Sequence, residues 1–380
     1  MEFFIEKGTG LPKCGRFAKL RVKAANESKA NCESPNVYKT PFCLQYTVNG
    51  MIPHLTRELS GFLDDDNSPL MVPLPTVIMM KHSLQKFGFG FAKFANVKKD
   101  RPFILTICDP LQKSKTGFND KNGVTIWTPS GRRQINSENF LDLISIFKPS
   151  LCQPLCDSDT PMDTSKKRLR HSVTRTLSYL DDCASLSADS IFGTIEGGYD
   201  LNSRLFSAKE TAARKVGGFI FDGFQTIDNE NKIHFKIEEV KSILKEVLDL
   251  LPEAKPRAMF GVFDPETVLA LFESGIDIFD SSYAVFLSEN GRALTFNDKI
   301  DRFNLKYETL DLKSVQYKRE FTVISGNCSC YSCKNEFTKA YINHLLNTKE
   351  MLAYVLLMLH NLHNYFEFFR QLRLSLSDNI

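Results

Sequence analysis

The chain has 380 residues, 42% apolar and 24% charged, and carries a net charge of +3. That length can bury a large core, as one big domain or as two to three average ones. The composition excludes a disordered chain, and so small a net charge names no partner by itself, although a local basic face can hide within the sum.

Met1-Glu-Phe-Phe-Ile-Glu puts acid where a secretory signal has its basic region. A reducing compartment is therefore expected. Residues 1 to 60 are turn-rich, with short strand candidates such as Tyr38–Thr47, and predict an antiparallel β region. Pro69, Pro73 and Pro75 lead into the apolar run Thr76–Met80. Phe103–Cys108, which ends at Asp109, and Val124–Trp127 read as strands on either side of a turn-rich loop. Ser137–Phe140 opens a helix whose apolar face is Leu141, Leu143, Ile144 and Ile146. Ser150–Cys156 ends at Asp157. Residues 158 to 176 are polar and basic around Lys166-Lys167-Arg168-Leu169-Arg170. They read either as a solvated linker and first helical turn or as a patch meeting RNA phosphates, with Lys166, Lys167, Arg168 and Arg170 as the contacts.

Between residues 188 and 284 strands and helices alternate. Ser190–Ile195, Val216–Phe221, Arg257–Phe263 and Ile276–Phe279 read as strands, and Asn202–Lys215, Ile237–Leu251 and Asp264–Ser274 as helices. This rhythm predicts an α/β fold with a parallel sheet and right-handed crossovers, closed as a (β/α)8 TIM barrel. No Gly-x-Gly-x-x-Gly follows the first strand, which counts against a dinucleotide site. After Asn297 come polar strand-like residues, the run Cys328-Ser-Cys330-Tyr-Ser-Cys333, a helix at Thr338–Leu346 and a long helix from Thr348 to about Leu372. Asn347 and Glu350 are spaced as its capping box. The expected division is a β-rich region over 1–100 leading into the barrel, the barrel core over 101–300, and a zinc-binding subdomain with the C-terminal helix over 301–380. The longest apolar run, Met351–Leu359, is far short of the roughly 20 residues that cross a bilayer.

Ten cysteines are present, and three of them fall within Cys328–Cys333. The other seven, scattered from Cys14 to Cys183, are expected to be core filler or surface residues. Three thiols beside a helix carrying histidine suit a tetrahedral, soft-leaning cation, and one Zn²⁺ per chain is the expectation. His344, His360 and His363 compete as fourth ligand. His360 ends a buried apolar face, where an unliganded imidazole is costly. His363 lies toward a polar stretch and is expected to be exposed.

Barrel enzymes work at the carboxyl ends of their strands. Asp109, Asp157, Asp222, Asp264 and Asp280 all follow strand candidates, and two facing carboxylates can cleave a glycosidic bond with retention. Aspartate is also the natural helix cap, and Asp264 before Pro265 reads as one. The paired glycines of Ile195-Glu196-Gly197-Gly198 and Gly217-Gly218 suggest tight turns or close backbone approach.

Cys328–Cys333, then Ala340–Asn347 and Met351–Asn361, resemble the zinc segment of tRNA-guanine transglycosylases. Ile195–Gly198, Val216–Phe224 and Gly275–Asp280 are similar to successive barrel strands of that family. The resemblance runs from about residue 100 to 370. It implies a (β/α)8 barrel with a zinc subdomain, ligands Cys328, Cys330, Cys333 and His360, and exchange of the wobble guanine of tRNA for a modified base, queuine in eukaryotes. Three motifs depart from the catalytic pattern. Cys108-Asp-Pro-Leu-Gln-Lys113 stands where catalytic members have Asp-Ser-Gly-Gly-Phe-Gln. Glu196 replaces the base-recognising glutamine, which removes donors and adds a charge. Phe279-Asp280-Ser-Ser-Tyr-Ala keeps the nucleophile's place but lacks the Pro-Thr-Arg that follows it. The resemblance thus implies a degenerate base pocket at Asp157, Glu196, Gly197 and Gly198, with no catalytic residue unless Asp280 is active.

Ser207–Gly218 and His363–Phe369 look most like the accessory, non-catalytic branch of the eukaryotic family. That implies a heterodimer with a catalytic paralogue, contact with tRNA, and a homodimer when the paralogue is absent. Tyr365, Phe366, Phe368 and Phe369 suit an interface core or internal packing. The expected localisation is cytoplasmic, with peripheral attachment to the mitochondrial outer membrane as an alternative. Two rival functions remain: an active transglycosylase with Asp280 as nucleophile and Asp109 or Asp157 as acid/base, and a zinc-dependent barrel methyltransferase whose metal keeps an open position.

Overall fold

The computed structural model describes residues 1–5, 15–16, 18–22, 36–63, 67–97, 101–120, 122–296 and 305–377. Eight parallel strands form the central sheet: β1 (Phe42–Tyr46), β2 (Leu70–Pro73), β3 (Phe103–Thr106), β4 (Leu151–Cys152), β5 (Phe192–Ile195), β6 (Gly218–Phe221), β7 (Arg257–Met259) and β8 (Ile278–Asp280). They follow one another around the sheet, with β8 beside β1. A parallel bridge between Cys152 and Ile191 joins β4 to the start of β5 and closes the ring. Every residue of these strands is buried, as expected of a barrel sheet covered on both faces.

The outer helices read as the sequence predicts. Ile237–Val247 turns Val240, Ile243, Leu244 and Val247 inward, at helical spacing. Asp264 caps Pro265–Glu273 by accepting from Thr267 N at 2.8 Å. Gly218 is needed for space, since a Cβ there would stand 2.5 Å from the Phe192 ring.

Two barrel strands, β1 and β2, lie ahead of residue 101, where the sequence reading starts the barrel. Of Tyr38–Thr47 only Tyr38 and Lys39, within the strand Asn36–Lys39, join the N-terminal antiparallel sheet with Glu2–Ile5 and Ala18–Val22. The reason is local: among the described residues the only helix between β1 and β2 is the single turn Arg57–Ser60, so the alternating rhythm of residues 188–284 is missing there. Val124–Thr128 pairs with Gly131–Ile135 as a hairpin outside the barrel.

Beyond the barrel, Arg292–Thr295 pairs with Glu308–Asp311, and the helices Lys339–Asn347 and Met351–Ser377 pack beside them. The expected capping box does not form. Asn347 ends the preceding helix, and its amide donates to Asn343 O at 2.9 Å. Tyr365, Phe366, Phe368 and Phe369 are buried within the chain, which overturns their reading as an interface core. Tyr365 Oη donates to Phe263 O at 2.7 Å, and the Phe369 ring packs on Phe279.

Candidate metal centre and barrel mouth

Cys328, Cys330, Cys333 and His360 each bring one ligand atom within 4.8 Å of the others and could hold one metal ion. His360 Nδ1 lies 3.8 Å from Cys328 Sγ, 3.4 Å from Cys330 Sγ and 3.5 Å from Cys333 Sγ. Tetrahedral ligands at about 2.3 Å for thiolate and about 2.0 Å for imidazole stand roughly 3.5 Å apart, so the donors fit a tetrahedral soft cation. The surroundings orient them. His360 Nε2 bonds Leu294 O at 2.8 Å, which leaves Nδ1 free to face the sulfurs. Backbone N–H groups of Cys330 and Cys333 donate to Cys328 Sγ and Cys330 Sγ, and Asn364 Nδ2 donates to Cys328 Sγ. Such donors favour thiolates. Of the competing histidines, His344 is exposed, whereas His363 is buried against Ser329 rather than exposed.

At the carboxyl ends of the strands the aspartates take separate hydrogen-bond partners. Asp109 Oδ1 accepts from Tyr46 Oη at 2.9 Å, and burial raises its pKa. Asp157 is fully buried and accepts from Arg168 at 2.6 and 2.8 Å and from Arg175 at 3.0 Å. Arg168 therefore joins Asp157 at the barrel mouth, while Lys166, Lys167 and Arg170 stay exposed. Asp280 is 1% exposed, and its two oxygens accept from Gly261 N and Ser282 N, each at 2.8 Å. Burial pushes its carboxyl up to about 6.

Glu196 is fully buried, and neither carboxylate oxygen has a hydrogen-bond partner. Burial and the neighbouring Asp222 raise its pKa well above the usual carboxylate range. Gly197 and Gly198 follow it with φ of 136° and 54°, a turn that a side chain would strain. Arg204, which sequence reading missed, holds this turn. Its guanidinium is buried and donates to Gly198 O, Ile195 O and Asp222 O. Desolvation pulls it down to about 10. The only clue in the sequence is its place one turn into the helix Leu201–Ala212.

A cleft opens at the carboxyl ends of the strands, lined by Asp109, Phe118, Trp127, Asp222 and Gln225 among others; Asp280 and Glu196 are not part of its lining. Its rim mixes rings and cations: Lys115 lies 3.8 Å from the Trp127 ring centroid and Arg132 5.4 Å from that of Phe118. None of the eight described cysteines is in a disulfide, while Cys14 and Cys32 lie outside the described residues. No described helix is long and apolar enough to cross a membrane.

A family model described as queuine tRNA-ribosyltransferase matches residues 15–379. A protein of Ixodes scapularis named queuine tRNA-ribosyltransferase accessory subunit 2 is 43% identical over 351 residues, 88% of each chain. Proteins of the same name from Aedes aegypti and Xenopus laevis are 33% and 32% identical, covering 100% and 90% of this chain and 90% of their own lengths. With its eight-stranded barrel and its Cys3His cluster, this chain belongs to the queuine tRNA-ribosyltransferase family.

Proposed function

We propose that this chain is a non-catalytic accessory subunit, pairing with a catalytic paralogue that exchanges guanine for queuine at the tRNA wobble position. The observation that carries the reading is the state of Asp280. A nucleophile must reach its substrate, yet Asp280 is almost fully buried and both of its oxygens are engaged by backbone N–H groups. Glu196 adds a buried acid where a neutral amide would read a base.

In this reading the Cys3His cluster holds one structural Zn²⁺. Three thiolates and His360 would complete its coordination, so no open position is left for the thiol substrate of a barrel methyltransferase. The zinc subdomain carries exposed apolar residues, Val315, Phe321, Tyr341 and Met351, and these replace the buried tail aromatics as the face offered to the paralogue. Lys166, Lys167 and Arg170, with the ringed basic rim of the cleft, suit tRNA phosphates and unstacked bases. In the absence of the paralogue the same face would support a homodimer. The protein would work in the cytoplasm, free or peripherally on the mitochondrial outer membrane.

The test is co-purification with the catalytic paralogue, followed by base exchange on guanine-labelled tRNA by each chain alone and by the pair. Turnover by the pair and none by this chain alone is expected. Turnover by this chain alone would favour the active transglycosylase with Asp280 as nucleophile.

A further inference from the structure

Besides the Cys3His cluster, a second set of metal-type donors converges among the described residues. Cys108, Cys156 and Asp222 bring one ligand atom each within 4.8 Å of one another. They stand at the carboxyl ends of three strands: Cys108 follows β3, Cys156 follows β4 and Asp222 follows β6. Cys156 is fully buried, whereas Cys108 and Asp222 are half-buried and line the cleft.

Three observations separate this group from ordinary core thiols. First, Cys156 Sγ lies 3.8 Å from Asp222 Oδ2, near the roughly 3.5 Å expected for thiolate and carboxylate on one tetrahedral ion. Second, one amide orients two of the donors. Gln153 Nε2 lies 3.4 Å from Cys156 Sγ and 3.1 Å from Asp222 Oδ2, as an outer-shell group does at a metal. Gly223 N takes the other Asp222 oxygen at 2.7 Å, which leaves Oδ2 toward the thiols. Third, a buried carboxyl group lies beside the donors. Glu196 sits fully buried beside the group without a hydrogen-bond partner, and Arg204 gives its N–H groups to carbonyls.

We propose that Cys108, Cys156 and Asp222 form a second site for a soft divalent cation of the zinc class, with an open coordination position facing the cleft. Binding replaces two thiol protons: the ion, two thiols and one carboxylate become the bound complex and two released protons. The open position takes water, or a nitrogen or sulfur donor entering through the cleft. The site needs neither tRNA nor a partner chain, so it stands or falls apart from the accessory role.

The full chain, kept reduced with a phosphine and carrying its tightly held zinc, is titrated with Co²⁺. The expected result is one further equivalent bound, with thiolate-to-cobalt charge-transfer absorption and about two protons released per ion. Cys156→Ser and Asp222→Asn should each weaken that uptake at least tenfold while the first zinc is retained. No uptake of Co²⁺ beyond the first metal, or uptake that neither substitution weakens, overturns the proposal. Should Cys156→Ser fail to fold, Asp222→Asn at the half-exposed cleft wall carries the same comparison.

Discussion

The metal-donor cluster and the barrel mouth treat their polar side chains in opposite ways. At the Cys3His cluster, residues from two separate stretches aim at one point, and the groups around them hold that aim. At the barrel mouth four aspartates from four strand ends each turn to a partner of their own: Asp109 to Tyr46, Asp157 to two arginines, Asp264 to a helix end and Asp280 to backbone amides, while Asp222 alone faces the thiols. Convergence preserves a function that needs all its parts together. Divergence turns the same chemical groups into fastenings. The difference fits the accessory role proposed above.

The strongest way to break this contrast is Cys330→Ala. Structural zinc contributes about 10 kcal/mol or more to small zinc domains. The variant should lose its metal, and with it pairing with the paralogue, as read by metal analysis and size-exclusion chromatography. A metal-free variant that still pairs would contradict the structural role. Next in size, Arg204→Met strips three carbonyls and Glu196 of their buried cation. A loss of about 3–5 kcal/mol is expected in urea unfolding, because three buried carbonyls are left without their donor. A loss under about 1 kcal/mol would show that the turn holds itself.

The third change is read through pH. Asp280 has a folded pKa of about 6, above its unfolded value of about 3.9. The folded state therefore binds the extra proton between these values, and stability from this group is full below about pH 4 and lost as pH rises toward 6. The whole effect approaches about 3 kcal/mol. Asp280→Asn lacks that titration, so wild type should gain on the variant as pH falls from 7 to 4.5. Urea midpoints of both across that range check it, and a constant difference would mean a carboxyl that stays ionised. The smallest effect sharpens the division among the basic residues. Lys167→Ala, exposed on its helix, should leave stability within about 0.5 kcal/mol but lower the salt slope of tRNA binding by about 1. Arg168→Ala, clamped to buried Asp157, should instead destabilise the fold.

The sequence makes the later barrel legible because strands and helices alternate there at regular lengths. It hides β1 and β2, where the helices between strands are too short to show a period. Three of the candidate metal ligands are legible because Cys328, Cys330 and Cys333 are close in the chain, whereas His360 competes with His344 and His363 until the family resemblance selects it. The fates of the aspartates are not, since Asp109 meets Tyr46 and Asp280 meets Gly261 only once the barrel has closed. Arg204 and Tyr46 are equally silent, as each acts through partners distant in the chain or through backbone carbonyls. The aromatic tail shows the limit of composition: a stripe of large rings reads alike whether it faces another subunit or the chain's own barrel.

The helix Met351–Ser377 runs about 40 Å. His360 sits at the metal cluster, Asn361 bonds Leu294 N and Arg292 O, Tyr365 reaches Phe263 O, and Arg373 reaches Pro41 O just before β1. One rigid rod thus fastens the cluster to the seam where β8 meets β1. Subdomain and barrel then unfold as one cooperative unit, and ion occupancy is written into the melting temperature of the whole chain by mass action. With an ion held at the cluster, metal supply would become a control on how long the chain stays folded.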